Sequence, residues 1–158
     1  MTSETTRQQV AHQILQTFPL VMRIVAAEVR RTEHTVDPAH FGLLVMLGHR
    51  PRSLGELAKK QGVSLPTMSK SISTLAERGW VTRVQSQSDR RVMIVELTPL
   101  GVQVLADVQA RTERCVAELL VELTPTELER LATGVEVLKS VLPSHEGKGF
   151  VTQSYSGG

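Results

Sequence analysis

Residues 53–97 read as helix, tight turn, helix, and then two short strands joined by a charged tip, an order that leaves few folds open. Ser53-Leu54-Gly55-Glu56 has the form of a capping box: the Ser hydroxyl accepts from the amide three residues on, and the Glu carboxylate reaches back to the Ser amide. Leu54, Leu57 and Ala58 then give one apolar face, and Gly62 is a natural left-handed stop. Ser64 caps a second helix whose Leu65, Met68, Ile72, Leu75 and Ala76 share one face at helical spacing, and Gly79 ends it. Residues 81–84 and 92–97 are rich in β-branched side chains, which favours strands, with the polar stretch 85–91 as the hairpin tip. This is the outline of a winged helix.

The other face of the second helix is small, polar and basic. It carries Pro66, Lys70, Ser73 and Glu77, flanked by Thr67, Ser69 and Thr74. Short hydroxyls let a helix approach a groove closely, and hydroxyls and Lys can bond to base edges and phosphates. At the hairpin tip, Asp89-Arg90-Arg91 places two adjacent guanidinium groups where they suit a narrow, electronegative minor groove, with Asp89 expected to brace one of them in a bidentate pair. Residues 50–91 hold nine basic and three acidic side chains, a local +6 in a chain of net +2, so the remainder is −4. A basic centre in an otherwise acidic chain is the electrostatic footprint of a nucleic-acid binder. The expected contacts to double-stranded DNA are Ser64, Pro66, Thr67, Ser69, Lys70, Ser73 and Thr74 on the reading helix and Arg83, Asp89, Arg90 and Arg91 on the wing. Arg52 and Ser53 are expected to meet phosphate beside a helix N-terminus.

The rest of the chain reads as support. Residues 1–7 form a polar end that should fray. From 8 to 31, Val10, Ile14, Val21, Ile24, Val25 and Val29 recur at helical spacing, and Pro19 should kink or divide that helix. Phe18, Leu20 and Met22 make it apolar on more than one side, which asks for cover from two directions. Asp37-Pro38 starts the next helix, with Phe41, Leu44, Val45 and Leu47 inward and an end near Gly48. After the wing, Thr98-Pro99 opens a long helix with the stripe Val102, Leu105, Val108, Thr112, Cys115, Val116 and Leu119. Thr124-Pro125-Thr126-Glu127 boxes a last one carrying Leu128, Leu131, Val135, Leu138 and Leu142. That is more helix than a winged-helix core needs. The expected fold is mainly α with a small β-hairpin wing: a winged helix-turn-helix over 37–98, a helical dimerisation lobe from 8–36 and 99–142, and a flexible tail over 143–158.

The run 53–97 resembles the MarR family of winged-helix transcription regulators. The resemblance rests on Leu54-x-x-Leu57-Ala58, the 64–75 helix, Glu77-Arg78-Gly79-Trp80-Val81, the Asp89-Arg90-Arg91 tip and Leu97-Thr98-x-x-Gly101. It extends more weakly over about 8–142 as a helical layout. It implies a homodimer whose two reading helices enter successive major grooves of a pseudo-palindromic operator, about 34–36 Å apart, with the wings in flanking minor grooves. It also implies repression relieved by a small aromatic or phenolic ligand between the lobe and the winged helix. By position, Met22, Arg23, His40, Val45 and Met46 would line that cleft, although each of them also reads as ordinary core.

Other chemistries find little support. The single Cys115 excludes an internal disulfide, and it falls on an apolar stripe rather than near the first helix, where some family members sense oxidants. The five His residues show no paired spacing for a metal. There is no nucleophile elbow, phosphate loop or dinucleotide fingerprint, so neither an enzyme nor a cofactor is expected. No run reads as long and apolar enough to cross a bilayer and no signal peptide is seen, which makes the cytoplasm the expected location. The remaining alternatives are a winged helix used for protein–protein contact and a non-specific DNA-binding protein without an effector.

Overall fold

In the computed structural model, which describes residues 3–34 and 36–142, the chain opens with α1 (Ser3–Arg30). Two expectations change here. The helix begins at Ser3 rather than fraying to residue 7, since each residue added to a formed helix gains one backbone bond. It also runs as one helix through Pro19 rather than dividing there, the turns on either side continuing although Pro19 supplies no amide donor. The expected tail over 143–158 lies outside the described residues.

The expectation about membrane-crossing runs is likewise corrected, because Thr6–Arg30 passes by length and composition. Leu15, Phe18, Leu20 and Met22 are all exposed along it. A helix apolar on several sides has the same length and composition whether lipid or protein covers it.

Caps set the next boundaries. Asp37 accepts from the Ala39 amide at 2.8 Å and Pro38 opens α2 (Pro38–His49). A two-residue strand, β1 (Arg52–Ser53), leads straight into α3 (Leu54–Gln61). The Ser53 capping box is complete: Ser53 Oγ accepts from the Glu56 amide at 3.1 Å, and Glu56 Oε2 accepts from the Ser53 amide at 2.9 Å. Gly62 turns the chain at φ 65°, and Ser64 caps α4 (Leu65–Glu77). Then come β2 (Val81–Gln85), β3 (Met93–Leu97), α5 (Pro99–Leu119) and α6 (Pro125–Val141), the last with its own complete box at Thr124 and Glu127. The sheet is antiparallel in the order β1-β3-β2, with Val81 opposite Leu97 and Arg52 opposite Val95.

The core lies where α2, α3, α4, the sheet and the first half of α5 converge on the end of α1. Leu43, Leu44, Leu57, Met68, Ile72, Leu75, Val95, Val104 and Val108 are fully buried there. Two phases differ from expectation. Leu65 is exposed at the first turn of α4, ahead of the buried Met68-Ile72-Leu75 face. On α5, Val104 is buried and Val102 exposed, because Gly101 must face inward against the Trp80 carbonyl and this rotates the stripe. The lobe helices contrast with this core. α6 has no buried residue, and its Leu128, Leu131 and Val135 stay exposed.

Arg52 departs furthest from its expected role. It is buried, 3% exposed, and its Nε donates to the Met46 carbonyl at 3.3 Å. Its Nη1 has no hydrogen-bond partner among the described residues. Burying a cation with incomplete compensation costs more than burying an apolar side chain of similar volume. Arg52→Met should therefore leave stability unchanged or raise it by about 1 kcal/mol in urea unfolding. A loss above about 1 kcal/mol would mean that the cation is stabilising where it sits.

Candidate nucleic-acid interface

The reading face of α4 is positioned by the buried residues behind it. With Met68, Ile72 and Leu75 locked in the core, Pro66, Thr67, Lys70 and Glu77 are turned out and exposed, while Ser69, Ser73 and Thr74 are half-buried along the flanks. The C-terminal end of α4 is fixed by an aromatic cluster. The Arg78 guanidinium stacks 4.9 Å from the Trp80 ring centroid and its Nη1 donates to the His34 carbonyl at 3.2 Å. The His34 ring stands edge-on to Trp80 at 6.4 Å, with Asp107 of α5 3.5 Å from its Nε2. Sequence reasoning missed this anchor, since His34 and Trp80 meet only through the fold.

Most hydroxyls on the reading face already have work within the protein. Ser64 Oγ accepts from the Thr67 amide at 3.3 Å and shares a 2.8 Å bond with the Thr67 hydroxyl. Ser73 Oγ donates to the Ser69 carbonyl at 2.9 Å, and Thr74 Oγ1 donates to the Lys70 carbonyl at 3.2 Å. A hydroxyl that gives its proton to its own helix keeps its lone pairs, so in this arrangement Thr74 offers acceptors to a groove. Lys70 is the long cation on this face, with its ammonium in solvent.

Arg83, on β2, does not extend away into solvent. Its Nη2 donates to the Ser73 hydroxyl at 2.8 Å and to the Ser69 carbonyl at 3.1 Å. At the wing tip Arg90 and Arg91 are exposed. Asp89 departs from expectation: it braces the backbone, its Oδ1 accepting from the Arg91 amide at 2.9 Å, the local turn that a short carboxylate favours. Ser53 is committed to its cap.

At the α3 N-terminus a small charged network holds the start of that helix. Arg50 Nη2 lies 2.9 Å from Glu56 Oε1. The Ser53 amide, followed by Arg50, holds the Glu56 carboxyl below its ordinary value of 4.5. A carboxyl whose folded value is depressed contributes stability that is present above the unfolded value and lost as pH falls through the folded one. Stability of the wild type should therefore fall more steeply below about pH 4.5 than that of Glu56→Gln, as read by urea midpoints across pH. Parallel curves would show that the box does not favour the ionised form.

The five residues expected to line an effector cleft are spread along two helices. Met22 and Arg23 are exposed on α1, while His40, Val45 and Met46 are half-buried on α2, the last two packed against the core. An open groove between α4 and β2 is lined instead by Ser73, Ala76, Glu77, Val81, Thr82 and Arg83. Among the described residues no group of three or more His, Cys, Asp or Glu side chains is placed to hold a metal ion.

Comparison with known proteins bears on this arrangement. The model of the MarR family matches residues 34–92, the span from the α1–α2 connection through the wing. The transcriptional repressor MprA of Escherichia coli (strain K12) is 31% identical over 101 residues, covering 64% of this chain and 57% of that relative, so the chain spans little more than half its length. The crystal structure of wild-type MarR from E. coli, in its apo form, superposes with a TM-score of 0.67 at 25% identity, covering 86% of this chain and 96% of that one. Streptococcus pneumoniae FabT, solved in complex with DNA, shares the fold at a TM-score of 0.65 and 20% identity, covering 85% of this chain and 95% of that one.

Proposed function

We propose that the protein, whose residues 34–92 match the MarR family model, is a sequence-specific, DNA-binding transcriptional regulator of that family acting as a dimeric repressor in the cytoplasm. The observation that carries this reading is the pairing of one outward helix face with one exposed basic tip. α4 presents Thr67, Lys70 and Thr74 from a rigid core, and the β2–β3 hairpin presents Arg90 and Arg91 beside it. A helix and a hairpin so joined suit adjacent major and minor grooves. FabT, which shares the fold, was captured on DNA, and MprA is a repressor by name.

The second part of the proposal is the dimer. Apolar side chains on α1 (Val10, Phe18, Val21) and α6 (Leu128, Leu131, Val135) are exposed in the single chain. A second copy covering them would make one helical lobe from 8–36 and 99–142 and place two winged helices, each over 37–98, about a two-fold axis. Such a dimer reads a pseudo-palindrome with half-sites about one helical turn apart. Release by a small aromatic or phenolic anion belongs to the same proposal. α2 packs against α1, bringing the helix that carries His40, Val45 and Met46 to the one that carries Met22 and Arg23. A ligand held there would shift the population between two spacings of the reading heads.

Selection of bound duplexes from a random-sequence pool tests the reading. Enrichment of an inverted repeat with half-sites about 10 base pairs apart is the expected result. A retained pool with no enriched sequence would leave a non-specific binder, and no retention at low salt would leave a protein-interaction module.

A further inference from the structure

Resting on the DNA-binding reading above, we propose that Arg83 is a positioning residue which clamps the reading helix to the wing, so that the two enter their grooves as one rigid unit. The bonds form a closed triangle. Arg83 Nη2 donates to both Ser73 Oγ and the Ser69 carbonyl, and Ser73 Oγ itself donates to that same carbonyl. Ser69 and Ser73 lie one turn apart in the middle of α4, and Arg83 lies in β2 opposite Val95 of β3, so the clamp bridges helix and hairpin.

The core provides part of this coupling, through Val81 and Val95 of the hairpin. Met68, Ile72 and Leu75 hold the buried face of α4, but beyond Val81 every residue of β2 is exposed. The hairpin is otherwise seated through Val95 of β3, buried opposite Arg83, so the Arg83 bonds are the direct tie between the exposed strand β2 and the helix. A guanidinium fits the task because its planar fork offers several N–H groups in fixed directions, whereas an ammonium is a flexible point donor. Ser73 then acts as the acceptor that Arg83 seizes, and its hydroxyl proton is spent on Ser69, so Ser73 also serves position rather than readout.

Two measurements decide the point. In the free protein, amide hydrogen exchange over residues 69–73 should speed up by about threefold or more in Arg83→Gln and in Ser73→Ala, with no further change in the double variant. Unchanged exchange in both single variants overturns the clamp, whether or not the protein binds DNA. The second measurement is fluorescence anisotropy on the best duplex from the selection, across a salt series. Arg83→Gln should weaken binding about tenfold with the salt slope unchanged, and Arg83→Lys should fail to restore it. A slope reduced by about 1.8 for the dimer, about 0.9 for each protomer, with affinity restored by Lys, would make Arg83 a phosphate contact instead. If wild-type protein binds no duplex, the DNA reading fails, and the exchange result still decides whether the clamp exists.

Discussion

Alanine at position 101 should destabilise the protein by about 3 kcal/mol or more, lowering the melting temperature by on the order of 10 °C at fixed protein concentration. Gly101 sits in the first turn of α5, capped by Thr98, whose hydroxyl accepts from the Gly101 amide at 3.0 Å. A Cβ there would overlap the Trp80 carbonyl oxygen and come within 2.8 Å of its carbonyl carbon. These are backbone atoms, so no rotamer change relieves the clash. The same carbonyl accepts from the Thr98 amide at 3.0 Å, and the Trp80 amide donates to Leu75 at the end of α4. Displacing Trp80 thus disturbs the anchor of the reading helix and the start of the long lobe helix together. The backbone angle at Gly101 is not the constraint; the close approach of α5 to Trp80 is. Thermal melts of Gly101→Ala and Gly101→Ser test it, and a loss below about 0.5 kcal/mol for Ala would contradict the packing described.

Charge on the outer face of α6 should have an equally large effect, on assembly rather than on the fold. Leu131 and Val135 are 44% and 48% exposed in the single chain, one turn apart. Changing both to Asp removes little from the monomer. Across the proposed two-fold interface it would bury four carboxylates without partners, and each such burial costs several kcal/mol. The dimer should weaken by at least about a hundredfold, and DNA affinity should fall with it, because two half-sites are no longer held together. Light scattering at micromolar concentration should show monomer. A variant that stays dimeric with full DNA affinity would place the interface elsewhere and remove the lobe from the account.

The parts of the fold legible from sequence were those decided locally. Asp37-Pro38, the boxes at Ser53 and Thr124, and the stop at Gly62 each involve residues within four positions of one another, so the chemistry that fixes them is written in adjacent letters. The Met68-Ile72-Leu75 face and the two wing strands were equally plain from their periods. What escaped was decided by distant contacts. β1 is two residues long and exists only because β3 offers an open edge, so no period announces it. The phase of α5 follows from Gly101 meeting Trp80, and without that contact Val102 and Val104 are equally good core residues.

The candidate site divides in the same way. Lys70, Arg90 and Arg91 are exposed, as a reading of charge and helical phase requires. Arg52 looked like a surface cation because arginine usually is one, yet its place beside Val95 in the sheet turns the side chain under α2 toward Met46. Asp89 was expected to brace a guanidinium and Arg83 to meet DNA; Asp89 holds the Arg91 amide and Arg83 the Ser69 carbonyl, since sequence cannot tell whether a polar side chain serves a nearby backbone or an absent ligand.

The proposed function is tested most directly by the interaction with duplex DNA. Fluorescence anisotropy should be measured with the duplex upstream of the protein's own coding region and with a scrambled duplex of equal length, from low to physiological salt. Tight binding to the first, about a thousandfold preferred over the second, is predicted, with log K falling by about 5 per decade of salt if each protomer meets three phosphates. No binding to either duplex at low salt would contradict the account.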